Sequence, residues 1–413
     1  RAQESKTDIQ RLADRVVSWF VPLVLVIAAV TVTSWGLAAG DWFTGLECMV
    51  AVLVVACPCA LGLATPTAIL VASGRGAELG ILIKEAHALE VAGRVTMVVL
   101  DKTGTVTLGE VELVGMEPAA GISDDELLAT AAAAEQLSQH PLAESICAAA
   151  RSRGLRLPPA TDLELVPGQG IVARGADGAL LVGNERLLQA RGIDVAGHQA
   201  AIDARRAAGR SLLMVAHGQR YLGLIALADR VAPHSGVAIK GLKQKGLKIM
   251  LLSGDHWAVA ERVAEELGIE QVTAELLPSE KQTTIAQLRA AGEVVAMVGD
   301  GINDAPALAA ADLGIAIGSG SDIAIEAADI VIVGNDLRAV VRAVTLARMT
   351  LRTIRQNLAW AFLYNVILIP LAAGALAAWH DIRLPALAAA AAMALSSVSV
   401  VTNSLLLRAR TIE

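Results

Sequence analysis

The chain has 413 residues, 54% hydrophobic but only 3% aromatic, and a mean hydropathy of +0.55. That length suggests about two to four domains, and apolarity carried by Ala, Val, Leu and Ile excludes an ordinary soluble enzyme. The net charge of −7 is modest, and without a basic block nucleic acid is not an expected partner.

Arg1 to Arg15 is polar. From Trp19 to Ala39 the chain is apolar and uncharged, long enough at 1.5 Å per residue to span a bilayer. Asp41-Trp42-Phe43 reads as a turn with interfacial aromatics. A second apolar run, Cys48 to about Ala72, is interrupted by Pro58 and Pro66 and completes a hairpin. The block from Gly74 to about Arg355 carries charges, glycines and α/β alternation. Apolar runs at Val95–Leu100, Lys248–Leu252 and Val294–Val298 each end in a Gly/Asp turn. The amphipathic stretches Trp257–Leu267 and Glu280–Ala290 lie between them, the pattern of a parallel sheet. Pro118 to Leu227 reads as a domain inserted after the first of these strands. Asn357 to Ala378 and Leu384 to Leu407 form a second apolar pair. Arg342, Arg348, Arg352, Arg355, Arg408 and Arg410 flank this pair, and only Arg383 lies in a short connection. The central block is therefore expected in the cytoplasm.

The strand-end motifs carry the chemistry. Asp101-Lys102-Thr103-Gly104-Thr105 puts a carboxylate where open α/β sheets bind ligands, and a carboxylate there is a candidate nucleophile towards a phosphoryl group. Phosphoryl transfer also needs Mg²⁺ and cationic or hydroxyl donors. Asp101, Asp300 and the backbone carbonyl of Thr103 suit the metal, and Lys281 and Ser253 suit the phosphoryl oxygens. Ser253-Gly254-Asp255, Lys281 in Leu277-Pro278-Ser279-Glu280-Lys281, and Asp300-Gly301-Ile302-Asn303-Asp304 follow in order. Together these motifs resemble the haloacid-dehalogenase core, and their wording resembles P-type ATPases. The resemblance implies a Rossmann-like phosphorylation domain and adds Lys102, Thr103, Gly254, Asp255, Asn303 and Asp304 to the site. Ser253 and His256 depart from the family's Thr-Gly-Asp-Asn, a hydroxyl-conserving change at the first position.

Inside the insertion stand Glu135, Ser138-Gln139-His140-Pro141, Pro167-Gly168-Gln169-Gly170-Ile171 and Gly183-Asn184. Closely spaced glycines let backbone approach a ligand, and a Glu and a His near a helix start suit an adenine edge. In this order they resemble the α+β nucleotide-binding domain of the heavy-metal P1B branch. That resemblance implies that Glu135, His140, Gly168, Gly170, Ile171, Gly183 and Asn184 contact ATP. Gln139 stands where the family usually has Glu.

Cys57-Pro58-Cys59 lies mid-span. Pro58 breaks the helix, and broken backbone at membrane depth is tolerated only inside the protein, so two soft thiols are expected in the bundle interior. The other two cysteines, Cys48 and Cys147, read as small core residues. Four cysteines are too few and too apolar in context for a disulfide framework, and a reducing compartment is expected. Tyr364-Asn365 and Met393-Ala394-Leu395-Ser396-Ser397 occupy the last two spans. A thioether beside thiolates favours monovalent copper, and these elements resemble the copper(I) subgroup of the branch. The resemblance makes Cys57, Cys59, Tyr364, Asn365, Met393 and Ser397 the transport ligands, with Asp14 at the cytoplasmic mouth and Glu47 at the exit.

The expected divisions are a membrane hairpin at 1–80, a phosphorylation domain at 81–118 and 228–340, a nucleotide-binding domain at 119–227 and a second hairpin at 341–413. No Thr-Gly-Glu loop and no Cys-x-x-Cys domain occur in the sequence. The resemblance therefore covers the C-terminal part of such a pump, and the remaining N-terminal part, with its actuator domain, is an expected partner. ATP, Mg²⁺, transported Cu⁺ (or Ag⁺), a lipid bilayer and a cytosolic copper chaperone complete the expectation, in a bacterial inner membrane. Three competing readings are a zinc or cadmium pump, a membrane-tethered phosphatase of the haloacid-dehalogenase type, and a metal-binding membrane protein without activity.

Overall fold

The computed structural model describes residues 8–138, 141–166, 168–300, 304–318, 322–376 and 384–412. His140 and Asn303, expected in the site, lie outside the described residues. The chain divides into two compact units: Arg1–Val95 with Ala328–Gly334 and Ala339–Glu413, and Thr96–Ala327 with Asn335–Arg338.

The first unit is mostly helical. Helix Asp8–Ala38 turns at Gly40 into helix Trp42–Val55, whose N-terminus Asp41 caps by accepting from the Thr44 amide at 3.0 Å. The second span thus starts at Trp42, six residues before the expected Cys48, because the cap sets the start rather than the apolar run. A Cβ on Gly36 would lie 2.4 Å from the Trp42 ring, so glycine lets the ring pack onto the first helix. The chain unwinds at Ala56–Pro58 and resumes as helix Cys59–Glu78, where Pro58, lacking a donor, offers its carbonyl to the Leu61 and Gly62 amides. Strand Ile81–Ile83 pairs antiparallel with Ile330–Ile332, and helix Ala86–Arg94 follows the first of them.

Ile9–Ala38, Trp42–Glu78 and Ala386–Ala409 are long and apolar enough to cross a membrane, with mean hydropathies of 2.4, 2.3 and 1.6. Leu23, Leu25, Val26 and Leu37 on the first are exposed, as a lipid-facing surface requires. The expected span Asn357–Ala378 differs. It is the end of the 35-residue helix Arg338–Ala372, which stops six residues early and, though long enough, is not apolar enough to stand among the described candidate spans. Gln356, Asn357 and Asn365 dilute its apolar part.

In the second unit a parallel sheet runs in the order Leu313–Ile317, Val295–Gly299, Met97–Asp101, Lys248–Leu252, Gln271–Thr273. The chain starts at the centre, builds outwards on one side, then returns to build the other. Asp101 therefore ends the strand at which the order reverses, where doubly wound sheets place ligands. Met97, Val99, Leu252, Val295 and Met297 pack against Ile285 and Leu308 from flanking helices. Val95 belongs to the preceding helix end rather than to the strand.

Between the first and second strands of this sheet lies a six-stranded antiparallel sheet. Thr107–Pro118 and Arg220–Val231 enter and leave it side by side, and Ser211–His217, Gly178–Gly183, Gly170–Gly175 and Ala160–Val166 follow in spatial order. Helices Asp124–Glu135 and Pro141–Ser152 cover one face around Leu128, Ile146, Ile171 and Ile225. The other face buries Leu187, Leu188, Ile202 and Leu224.

Candidate active site and metal pocket

Past Asp101 the chain makes a tight five-residue turn, Lys102–Val106. Gly104 sits there at φ +72, and a Cβ on it would lie 1.7 Å from Asp300 Oδ2, so only glycine admits the Asp300 carboxylate. Asp101 is 5% exposed and Lys281 6%. The Lys281 ammonium donates directly to Asp101 and, at 2.8 Å, to Asp304. Asp101, Asp300 and Asp304 each offer an oxygen within 4.8 Å of the others. Burial, and then the Asp304 charge, push Asp101 up to about 7 against the pull of Lys281. Burial and Asp304 likewise raise Asp300 to about 6. Burial pulls Lys281 down, but Asp101 and Asp304 outweigh it and hold the group above its ordinary value. Three carboxylates against one ammonium leave an excess of negative charge on hard oxygen donors, which suits Mg²⁺. Asp304, expected only as a supporting residue, is a full member of that donor set.

Behind the turn lies a second ion cluster. Lys102, nearly buried, pairs with Asp255 at 2.7 Å and Asp229 at 3.2 Å. Asp229 also accepts from the Thr107 hydroxyl at 2.5 Å. Lys102 is held above its ordinary value, burial opposing and Asp255 and then Asp229 prevailing. Ser253 is buried and its Oγ accepts from the Asp255 amide at 3.0 Å. Thr103 and Gly254 are exposed on the rim. Sequence reasoning missed Asp229. Its signal was a lone carboxylate ending the apolar run Tyr221–Ala228.

In the insertion, burial pushes Glu135 up to about 7, opposed by a hydrogen bond to Ser138. Gly170 pairs with Gly183, and a Cβ on either would lie 2.3 Å from a backbone carbonyl, so their close approach itself demands glycine. Asn184 caps helix Glu185–Ala190 and donates to the exposed Gly168 carbonyl at 2.9 Å. The Ile171 side chain is buried in the core beside Ala134, which leaves only its main chain for a ligand.

The thiol region of the first unit differs from expectation in two ways. Cys57 and Cys59 are joined in a disulfide, with Cα atoms 5.5 Å apart, where free thiols were expected. One intervening proline kink brings the sulfurs onto each other. In this form neither is a thiolate. A small pocket is lined by Cys57, Phe20, Phe362, Asn365, Met393 and Ser396, among others. The exposed Cys59 and the half-buried Tyr364 and Ser397 are not in its lining. Asn365 is 6% exposed, and its Oδ1 is buried without a hydrogen-bond partner. Ser396, buried three residues from Met393, is the serine in the lining, and helical spacing allows either. Asp14 is exposed. Glu47, also exposed, lines a separate pocket of about 340 Å³ with Cys48, Leu384 and Pro385. Cys48 is buried, and Cys147 packs against the insertion core.

A family description, haloacid dehalogenase-like hydrolase, matches residues 95–312, and a second of the same kind matches 281–344. A probable copper-exporting P-type ATPase of Archaeoglobus fulgidus is 48% identical over 98% of this chain and 50% of its own length. A probable copper-transporting ATPase, PacS, of Synechococcus elongatus is 46% identical, over 99% and 55%. The chain belongs to the haloacid dehalogenase-like hydrolases, and over nearly its whole length it is similar to P-type ATPases. It spans about half the length of the curated relatives it matches. Among solved structures, a zinc-transporting PIB-type ATPase in the E2.Pi state superposes with a TM-score of 0.83, at 36% identity over 98% of this chain and 65% of that one. The catalytic domain of the CPx-ATPase CopB-B gives 0.55 at 28% identity, covering 66% of this chain and 98% of its own.

Proposed function

We propose that this chain is the catalytic and metal-carrying part of a pump that exports Cu⁺ from the cytoplasm at the expense of ATP. The observation that carries this reading is the pocket at the broken helix. It offers a cysteine sulfur, the Met393 thioether and the unsatisfied Asn365 oxygen, and no carboxylate or ammonium is among its described lining residues. A thioether beside thiolates is a soft, low-coordination sulfur set that favours a monovalent soft ion. The copper-exporting relatives support the same choice.

The Asp101 carboxylate attacks the γ-phosphorus of ATP, the bond from that phosphorus to the β-phosphate oxygen breaks, and ADP leaves an acyl phosphate. Lys281 and Ser253 orient and neutralise the phosphoryl oxygens, and the turn at Gly104 keeps Asp300 close. Asp101, Asp300 and Asp304 would hold Mg²⁺, which supplies charge neutralisation when bound. Glu135, Gly168, Gly170, Gly183 and Asn184 form the nucleotide's side of the site. A cytosolic thiol reductant must first open the Cys57–Cys59 bond by exchange, supplying two electrons and leaving as its own disulfide, so that both sulfurs become thiolates able to take copper. The rest of the pump supplies the group that hydrolyses the aspartyl phosphate, a cytosolic carrier delivers copper, and the setting is a bacterial inner membrane.

The test uses the full-length protein in vesicles under reducing conditions, with ATP and a panel of metals. Cu⁺ should drive an acid-stable phosphoenzyme that Asp101→Asn abolishes. Zn²⁺ acting in place of Cu⁺ would overturn the metal assignment, and a phosphoenzyme surviving in Asp101→Asn would overturn the mechanism.

A further inference from the structure

A polar cluster used by neither site lies among the helices of the first unit. Asn357 and Ser404 are fully buried. The Asn357 Nδ2 donates to Ser404 Oγ at 2.9 Å and, more weakly, to the Ala64 carbonyl at 3.4 Å. Its Oδ1 accepts from Asn403 Nδ2 at 2.8 Å, and the Ser404 hydroxyl donates onward to the Val400 carbonyl at 2.9 Å. Both ends of the amide are hydrogen-bonded within the protein, which fixes its orientation.

One side chain thus ties three helices together: its own Arg338–Ala372, Cys59–Glu78 and Ala386–Ala409. Asn365 and Met393 stand on two of these, and the third begins at the Cys-Pro-Cys break. Asn357 lies roughly two turns from Asn365, and Ala64 between one and two turns from Cys59. The surrounding contacts are Ala60, Leu61, Ala64, Ala361 and Val400. Such small apolar surfaces hold helices together but resist sliding poorly, because apolar attraction is not directional. Hydrogen bonds at a fixed height supply the missing register. Polar side chains among membrane helices are costly and are kept where they join helices or serve function.

We infer that Asn357 is a positioning residue: its bonds to Ala64, Asn403 and Ser404 set the axial register of the helices that bring Cys57, Asn365 and Met393 to one pocket, and so set that pocket's affinity for a soft monovalent cation. This rests on the export reading above.

The test measures phosphoenzyme formation by the intact pump in reducing vesicles, titrating Cu⁺ and ATP separately. Asn357→Leu should raise the half-saturating Cu⁺ concentration by about tenfold, the low end for loss of a group supporting metal ligands. The half-saturating ATP concentration should not move. The exchange Asn357→Ser with Ser404→Asn, which restores an amide–hydroxyl pair across the same gap, should recover most of the loss. Should Asn357→Leu fail to assemble, Ser404→Ala, which removes one acceptor, should give a smaller rise of the same sign. Copper dependence unchanged in the variant that assembles, or copper and ATP dependence moving together, would overturn the positioning role. A wild-type pump unresponsive to copper would overturn the export reading first, and this inference with it.

Discussion

Replacing Lys281 by Met removes an ammonium that touches both Asp101 and Asp304. Lys281 is 6% exposed, so water cannot take its place and the carboxylates face one another inside 4.8 Å. Breaking a buried pair by deleting one partner costs about 3–5 kcal/mol, unless the survivors take up a proton. Uptake is the cheaper outcome, because Asp101 already stands at about 7 with the lysine in place. Losing a cation in direct contact raises a carboxylate by about 1–3 units. At neutral pH the attacking carboxylate, half ionised to begin with, then becomes about fivefold to five-hundredfold scarcer, on top of any lost stabilisation of the phosphoryl oxygens. The sign is fixed: the acid limb of the rate profile moves to higher pH, and raising the pH restores part of the rate. Acid-quenched phosphoenzyme formation, followed from about pH 6 to 9 in the wild type and Lys281→Met, reads both the loss and the shift. An acid limb that stays in place while the rate falls would refute the ionisation argument and leave Lys281 as a phosphoryl ligand alone.

Two further outcomes follow from local geometry. Gly104→Ala forces a side chain into the left-handed region, at about 1–2 kcal/mol, and its Cβ would lie 1.7 Å from an Asp300 oxygen; phosphoenzyme formation should fall at least about a hundredfold while nucleotide binding, read by equilibrium titration, persists. Glu135 stands at about 7 because burial disfavours its charge, so the folded protein binds more protons than the unfolded chain in that window. Its contribution is full below about pH 4.5 and is lost as pH rises through about 7, on the order of 3 kcal/mol. Thermal melts from pH 5 to 8 should show Glu135→Gln with a flatter pH dependence than the wild type.

Much of the phosphoryl-transfer site was legible in the sequence because its parts are local signals. Lys248–Leu252 and Trp257–Leu267 begin and end where the apolar pattern does, and Gly268 in the left-handed region closes the helix. Asp101 could be placed at a strand tip because a β-branched run and a glycine bracket it. The less legible parts depend on distance or on choices that helical periodicity leaves open. Asp229 meets Lys102 across 127 residues, and nothing near either announces the other. Ser396 and Ser397 both satisfy the spacing from Met393, and packing decides between them. The start of the second span at Trp42 depended on a cap, and the disulfide on the geometry of a kink, neither of which composition records.

The pair of strands Thr107–Pro118 and Arg220–Val231 has a consequence for how such a chain could be built or cut. Thr107 stands opposite Val231 and Pro118 opposite Gly223, so the whole inserted lobe leaves and rejoins at neighbouring points of one ribbon. A lobe attached in this way is a passenger in the topology: its removal would leave two strand ends already side by side, within reach of a short hairpin turn. The parallel sheet needs no rethreading in either case. Lobes of different size and chemistry can therefore be exchanged on the same ribbon without disturbing the Asp101 strand, which is already complete when the chain departs.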